Sequence, residues 1–371
     1  MQPNFSLLIK PTSSDCNLGC DYCFYLDKKA LYTASTIHRM SEEVLEEVVK
    51  KFMTVPQPVY NFGWQGGEPT LMGVDFFRKV VELQQKYNKN GGEVSNSLQT
   101  NATLITEEYA QFFKEHNFLL GCSLDGHAGL HDRYRKTTSG KPTHALVQDG
   151  ITLLQNYRVE FNVLVLVNKA NVTEAKDVYH YLVECGYYSQ QYIPCVEFGS
   201  NGELESYAIK GQEWGTFLSS IFDEWYGCGL EQVSIRNFDA ILKMLLIGEC
   251  DLCTMGESCE HYLVVEHNGD VYPCDFFVSD DSKLGNINDT SWEELRNLQA
   301  YTEFVCEKSN VNSECNDCLY FLLCRGDCPK HRKNIDGLGN MSYLCSGWKE
   351  FYSRTLGRFV DIARKIQERR L

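Results

Sequence analysis

No apolar run in this chain approaches the length of a membrane span, and the opening "MQPNFSLLIKPTSS" has no basic leader before a long apolar stretch. Neither a spanning helix nor a secretion signal is therefore expected. An excess of positive charge is also missing. The 371 residues carry 35 Lys and Arg against 50 Asp and Glu, a net charge of -15, which argues against a nucleic acid as partner. The basic tail "RKIQERR" reads as the solvated, dipole-favoured end of a last helix. Low-complexity tracts are absent too. A hydrophobic content of 43% and a charged content of 23% are those of a globular protein with room for one large α/β domain and a smaller one. The expectation is a cytoplasmic protein with no membrane partner. Thiols stay reduced in that compartment, yet the chain has 17 cysteines, and that number points to metal rather than disulfides.

The first half alternates. "FSLLIKP", "VYNFGW", "EVSNSLQT", "FLLGCSL", "EFNVLVLV" and "SQQYIPC" read as strands. Helical stretches separate them, among them "SEEVLEEVVKKFM" capped by Ser41 and "TEEYAQFFKEH" capped by Thr106. Six strand–helix units imply parallel strands with right-handed crossovers, a partial (β/α)6 barrel with its chemistry at the carboxyl ends of the strands. A loop with three cysteines, "QGGEP", "QTN" and "SLDG" all fall at those ends. After about residue 200 come two connecting helices. A cysteine-dense α+β segment follows, with "HYLVVEHNGDVYPCDF" as a hairpin turning at "NG", and then a final helix. The division expected is 1–235 for the barrel with a connecting helix and 236–371 for the smaller cysteine-rich domain.

In "SSDCNLGCDYCFYLDKK" the thiols are Cys16, Cys20 and Cys23. A disulfide uses two cysteines and a closed structural metal site four. Three ligands on a four-iron cube would leave one iron open to a small molecule. A zinc site completed by a distant His is the alternative, although "CNLGCDYC" is not a pair of Cys-x-x-Cys knuckles.

"CNLGCDYC", with Tyr22 before its last Cys, resembles the signature of radical S-adenosylmethionine (SAM) enzymes. The resemblance implies that SAM binds the open iron. It also supplies "GGEP" one unit later, where Gly66, Gly67 and Glu68 would meet the methionyl group. Tyr22 is counted with these SAM-binding residues, as are Ser123 in "SLDG" and Arg135 in "RYRK". Alternatively Ser123 ends a strand and Arg135 is a surface cation.

A second field of cysteines lies between residues 250 and 345, enough for two further cubes or for two structural zinc sites. It resembles the SPASM extension of peptide-modifying radical SAM enzymes, which implies two auxiliary 4Fe–4S clusters and three in all. By that resemblance Cys253, Cys259, Cys274 and Cys328 hold one, and Cys315, Cys318, Cys324 and Cys345 the other. Cys250 competes with Cys253 in "CDLC", and Cys328 is the residue whose set is open. Cys122, Cys185, Cys195, Cys228 and Cys306 read as isolated core or surface thiols.

"SLLIKP", "CFY", "QGGEPTL", "NSLQTN", "SLDG", "VYPCDF" and "LGNI" follow the order and spacing of the anaerobic sulfatase-maturating enzymes, and the likeness runs the length of the chain. These enzymes oxidise a Cys or Ser of a new sulfatase to Cα-formylglycine. The resemblance implies that a reduced cluster cleaves SAM and that the 5′-deoxyadenosyl radical takes a β-hydrogen from the substrate residue. Asp275 then takes the thiol or hydroxyl proton, and an auxiliary cluster carries off the remaining electron. It implies peptide contacts at Tyr25 and Gln65, an unfolded or nascent sulfatase as substrate, and a low-potential donor such as ferredoxin or flavodoxin. Without it, Asp275 would read as an Asx turn, Tyr25 as packing and Gln65 as a loop hydrogen bond. The family's glycine after "QTN" is Ala102 here. A SPASM enzyme forming thioether or other cross-links in a ribosomal peptide would share most of these cysteines. Asp275 and the lack of a leader-binding domain before the first strand argue against it. A non-catalytic zinc or electron-transfer module would not explain the open three-cysteine loop.

Overall fold

A computed structural model describes residues 4–227, 232–332 and 339–370; Cys228 lies outside them. In chain order the first half runs β1 (Ser6–Lys10), α1 (Glu42–Thr54), β2 (Val59–Trp64), α2 (Val74–Tyr87), β3 (Glu93–Thr100), α3 (Glu107–Glu115), β4 (Leu119–Ser123), a short α4 (Ala128–His131), α5 (His144–Asn156), β5 (Phe161–Val167), α6 (Ala175–Glu184) and β6 (Ser189–Pro194). The second half adds α7 (Gly211–Gly227), β7 (Ser234–Ile235), α8 (Arg236–Ile247), β8 (Tyr262–Glu266), β9 (Asp270–Tyr272), β10 (Gly285–Asn286), α9 (Trp292–Arg296), α10 (Gln299–Glu307), α11 (Phe321–Cys324) and α12 (Cys345–Arg370). All six strands expected from the alternation are present, and Ser41 and Thr106 cap α1 and α3 by accepting from the Val44 and Tyr109 amides.

Two compact units divide these elements. The first comprises 1–123, 135–161 and 260–305; the second comprises 124–134, 162–259 and 306–371. In the first, β1, β2, β3 and β4 pair in parallel and in sequence order. Their helices bury single faces, such as Leu45, Val48, Val49, Phe52 and Met53 of α1, the spacing that makes a helix amphipathic. On the other edge of β1 lies β8, also parallel, in the register Ser6↔Tyr262 to Lys10↔Glu266. β9 and β10 continue antiparallel from it. The hairpin turning at "NG" thus exists as expected, and its first strand also pairs along its other edge with β1. Contacts therefore group residues 260–305 with the first four strands, a different cut from a sequential boundary at 235/236.

In the second unit β5, β6 and β7 pair in parallel. The helices α7, α8 and α12 share an aromatic core: Phe222, Trp225 and Phe238 meet Phe351 and Phe359 with ring centroids 4.6–6.5 Å apart. Between α10 and the start of α12 the chain has few regular elements and carries Cys315, Cys318, Cys324, Cys328 and Cys345.

Candidate active site and cysteine clusters

The site of the first unit is built on the carboxyl end of β1. The cysteine loop follows that strand directly and is fixed by its neighbours through the backbone. Gly67 N donates to Ser13 O at 2.7 Å, and Glu68 N to Asp15 O at 2.8 Å. A Cβ on Gly67 would lie 1.8 Å from Asp15 O, so the close approach of the two loops admits only glycine there. Gly66, at φ +104°, makes the turn. These glycines therefore serve first to dock the "GGEP" turn on the cysteine loop.

Glu68 is fully buried. Its carboxylate accepts from Thr70 N at 3.1 Å, Thr70 Oγ1 at 2.6 Å, Thr100 Oγ1 at 2.8 Å and Asn101 N at 2.7 Å. Four acceptances fill a carboxylate, so the side chain contributes position by tying the "GGEP" turn to the end of β3. Asn101 continues the tie. Its Nδ2 donates to Asn17 Oδ1 at 2.9 Å and points at Cys16 Sγ from 3.6 Å, while Leu18 N donates to the same sulfur at 3.3 Å. N–H groups aimed at a cysteine sulfur are what a cluster thiolate takes from its surroundings. Burial, then the charge of Glu68, push the free Cys16 thiol up to about 12.

Beside the loop, Tyr22 is buried under Arg135, whose guanidinium lies 5.4 Å from the ring centroid. Burial raises the Cys23 thiol, and Arg135 and Lys10 are among the groups that pull it back. Ser123 is buried at the last residue of β4. Gln65 is half-buried, its backbone N–H donating to Ile9 O at 2.9 Å.

Because β8 runs along β1, it brings Asp275 to the cysteine loop. Asp275 is 6% exposed. Lys10 Nζ lies 3.5 Å from its Oδ2 and the Tyr262 hydroxyl 3.1 Å from its Oδ1. That hydroxyl is also 3.3 Å from Cys274 Sγ. Lys10, itself 1% exposed, stands 4.5 Å over the ring of Tyr25. Tyr25 packs with Val264, Tyr272, Val278 and Cys23 and donates its hydroxyl to Glu266, which has no solvent exposure. Thus the buried Tyr25, Lys10 and Asp275 and the half-buried Tyr262 form one polar group beside the Cys23 end of the loop. Lys10, Tyr262, Glu266 and Asn101 were missed by sequence reasoning. The available signal was a lysine or glutamate closing an otherwise apolar strand, where a charge is expensive unless paired.

In the second unit Cys315, Cys318, Cys324 and Cys345 line one partly open pocket together with Tyr320, Phe321, Trp348 and Lys349. Cys328 is not among its walls. It lies where the charge of Cys253 reaches it, and burial raises its thiol to about 12. Cys250 accepts from Leu252 N at 3.4 Å, within its own loop. Cys122 and Cys195 are buried, Cys185 is half-buried and Cys306 is exposed.

The comparisons with known proteins agree with this arrangement. The radical SAM superfamily matches residues 11–182 and the SPASM iron–sulfur cluster-binding domain residues 253–319. A cysteine-type anaerobic sulfatase-maturating enzyme of Clostridium perfringens is 39% identical over 98% of this chain and 100% of its own. The chain belongs to the anaerobic sulfatase-maturating enzymes. A serine-type member from Bacteroides thetaiotaomicron is 35% identical over 97% of this chain and 91% of its own. A solved structure described as native anSMEcpe with bound AdoMet and Cp18Cys peptide superimposes with a TM-score of 0.90 at 39% identity, covering 98% of this chain and all of the other. The architecture is thus the α/β radical SAM fold with a SPASM extension, and the cofactors of this family are iron–sulfur clusters and SAM.

Proposed function

We propose that this chain oxidises a Cys or Ser side chain of an unfolded or nascent sulfatase to Cα-formylglycine. The observation that carries the reading is the buried carboxylate of Asp275, held by Lys10 and Tyr262 in the same unit as the cysteine loop. Cys16, Cys20 and Cys23 would hold the SAM-binding cluster, which with SAM bound would supply the radical chemistry that removes a substrate β-hydrogen. Asp275 takes the thiol or hydroxyl proton, which β-carbon oxidation makes far more acidic. Its two oxygens are fixed by different donors, so the carboxylate is presented in one orientation and needs little rearrangement. Tyr25 and Gln65 orient the peptide. Tyr22, Ser123, Arg135 and the backbone of Gly66, Gly67 and Glu68 shape the SAM site.

Three 4Fe–4S clusters are proposed. The cavity lined by Cys315, Cys318, Cys324 and Cys345 supports that set as one auxiliary ligand group. The charge of Cys253 acting on Cys328 supports assigning Cys328 to the other set, with Cys253, Cys259 and Cys274. A low-potential ferredoxin or flavodoxin is the proposed donor and the cytoplasm the proposed compartment; no described helix is long and apolar enough to cross a membrane.

The test is anaerobic reconstitution with SAM, a reductant and a peptide carrying a C-x-P-x-R motif, followed by mass spectrometry of peptide and deoxyadenosine. Aldehyde formation that disappears in Asp275→Asn while SAM cleavage persists supports the reading. Deoxyadenosine without peptide oxidation overturns the substrate assignment.

A further inference from the structure

Within the second unit two cations are buried without a carboxylate of their own. Lys308 is 1% exposed and Arg332 3%. Lys308 Nζ donates to Thr254 O at 2.8 Å and to Asp327 O at 2.5 Å. Arg332 spreads its guanidinium over six carbonyls, those of Glu307, Lys308, Asn310, Arg325, Gly326 and Asp327, at 2.7–3.4 Å. A Cβ on Gly326 would stand 2.6 Å from Arg332 Nη2, so glycine at this point, with φ +70°, lets the guanidinium in. Among the described residues neither cation has a carboxylate within 4 Å. The near candidate is the carboxylate of Asp327, which accepts instead from His331 Nδ1 at 2.8 Å and Ser342 Oγ at 2.7 Å.

Carbonyls satisfy hydrogen bonds but do not neutralise charge, and an uncompensated buried cation is costly. The neighbouring cysteines supply what is missing. Lys308 bonds the carbonyls of the residue after Cys253 and the residue before Cys328, so it clamps the two segments that carry them. Burial lowers the Lys308 ammonium from the lysine range; the charge of Asp327 acts the other way first, and those of Cys328 and Cys259 after it. Its charge also reaches Cys324, while that of Arg332 reaches Cys259 and Cys315. Both cysteine sets therefore feel this pair. Asp327 supplies one negative charge, from beyond contact distance, against two cations; thiolate-ligated cubes are net anions and supply the remainder.

We propose that Lys308 and Arg332 are a shared buried counter-charge for the two auxiliary cysteine sets, holding the reduction potentials of the clusters bound there above the values their thiolates alone would set. The inference rests on the reading of these cysteines as cluster ligands. Its physical basis is that reduction adds negative charge, which a nearby cation in low dielectric stabilises. Both residues act through the cluster rather than on the substrate, so they are positioning and tuning residues.

The experiment is an EPR-monitored redox titration of the full chain, reconstituted with iron and sulfide, in which Cys16, Cys20 and Cys23 are all changed to Ala so that only auxiliary signals remain. Lys308→Gln keeps N–H donors for the Thr254 and Asp327 carbonyls while removing the charge. The expected result is a negative shift of the auxiliary midpoint potentials with iron content unchanged, and a return to the parent value in Lys308→Arg. A parent potential in Lys308→Gln with iron retained overturns the proposal, as does an equal shift in Lys308→Arg. Should Lys308→Gln fail to retain iron, Arg332→Gln reads the same effect from the second cation. A parent that binds zinc and no iron overturns the cluster reading itself, a result separable from the formylglycine assay.

Discussion

Lys10 and Asp275 are 265 residues apart in the chain and form a buried ion pair at 3.5 Å. Removing the cation takes the donor from Oδ2, while Oδ1 keeps the Tyr262 hydroxyl at 3.1 Å and the Cys274 thiol at 3.6 Å. We expect Lys10→Met to lower aldehyde formation about 10–100-fold, the equivalent of one charge-assisted hydrogen bond, with deoxyadenosine production retained. The ratio of aldehyde to deoxyadenosine, measured by mass spectrometry, checks this; a proportional fall in both would assign Lys10 to folding instead.

Tyr25→Phe removes the hydroxyl that serves Glu266. Among the described residues Glu266 then keeps the 3.4 Å contact to His267 Nδ1 in a fully buried position. The expected cost is about 1–3 kcal/mol of stability, read as a lower melting midpoint, together with a raised KM for the peptide. An unchanged midpoint would mean that the pocket rearranges to re-pair the carboxylate.

Gly67→Ala places a methyl group against the backbone of Asp15. The cysteine loop and the "GGEP" turn cannot then keep their hydrogen bonds. We expect loss of the SAM-induced change in the EPR signal, with the auxiliary iron retained. A variant that still responds to SAM would show that the two loops separate without consequence.

Cys324→Ala and Cys345→Ala should each lose the iron of one and the same cluster, since both cysteines line one cavity. Cys250→Ala should lose none. Iron analysis distinguishes them, and iron loss in Cys250→Ala would return that residue to the ligand set.

Ala102 has φ +60° and no solvent exposure. This is the backbone region that favours glycine, and alanine here carries a left-handed strain. Ala102→Gly should stabilise the chain by about 0.5–1 kcal/mol, after allowing for the entropy of the added glycine. Thermal melting of the two forms side by side is the check.

What could be read from the sequence was local. β2 and β3 fall where alternation placed them, and the motif loops sit at the carboxyl ends of the strands because a βα unit leaves them nowhere else. The pairing of β8 with β1 was not legible. A strand of "YLVVE" carries its own face pattern but no record of which distant edge it joins. For the same reason Lys10 passed as the polar end of a strand before a proline, although its partner Asp275 had been singled out. Glu68 shows the reverse: the motif identified the residue, and only the four donors around its carboxylate reveal that it joins loops.

The parallel seam between β1 and β8 has a consequence for synthesis. About 250 residues separate Lys10 from Tyr262. At ribosomal rates of 5–20 residues per second, the nascent chain waits roughly 13–50 s before the strand that covers β1 emerges. Through that interval one edge of the growing sheet presents unpaired N–H and C=O groups, a template for any passing strand. A chain that stops short of β8, by truncation or by a stalled ribosome, keeps that edge open for good. Such fragments should therefore aggregate and be held by chaperones, although every motif of the SAM-binding half is already in them.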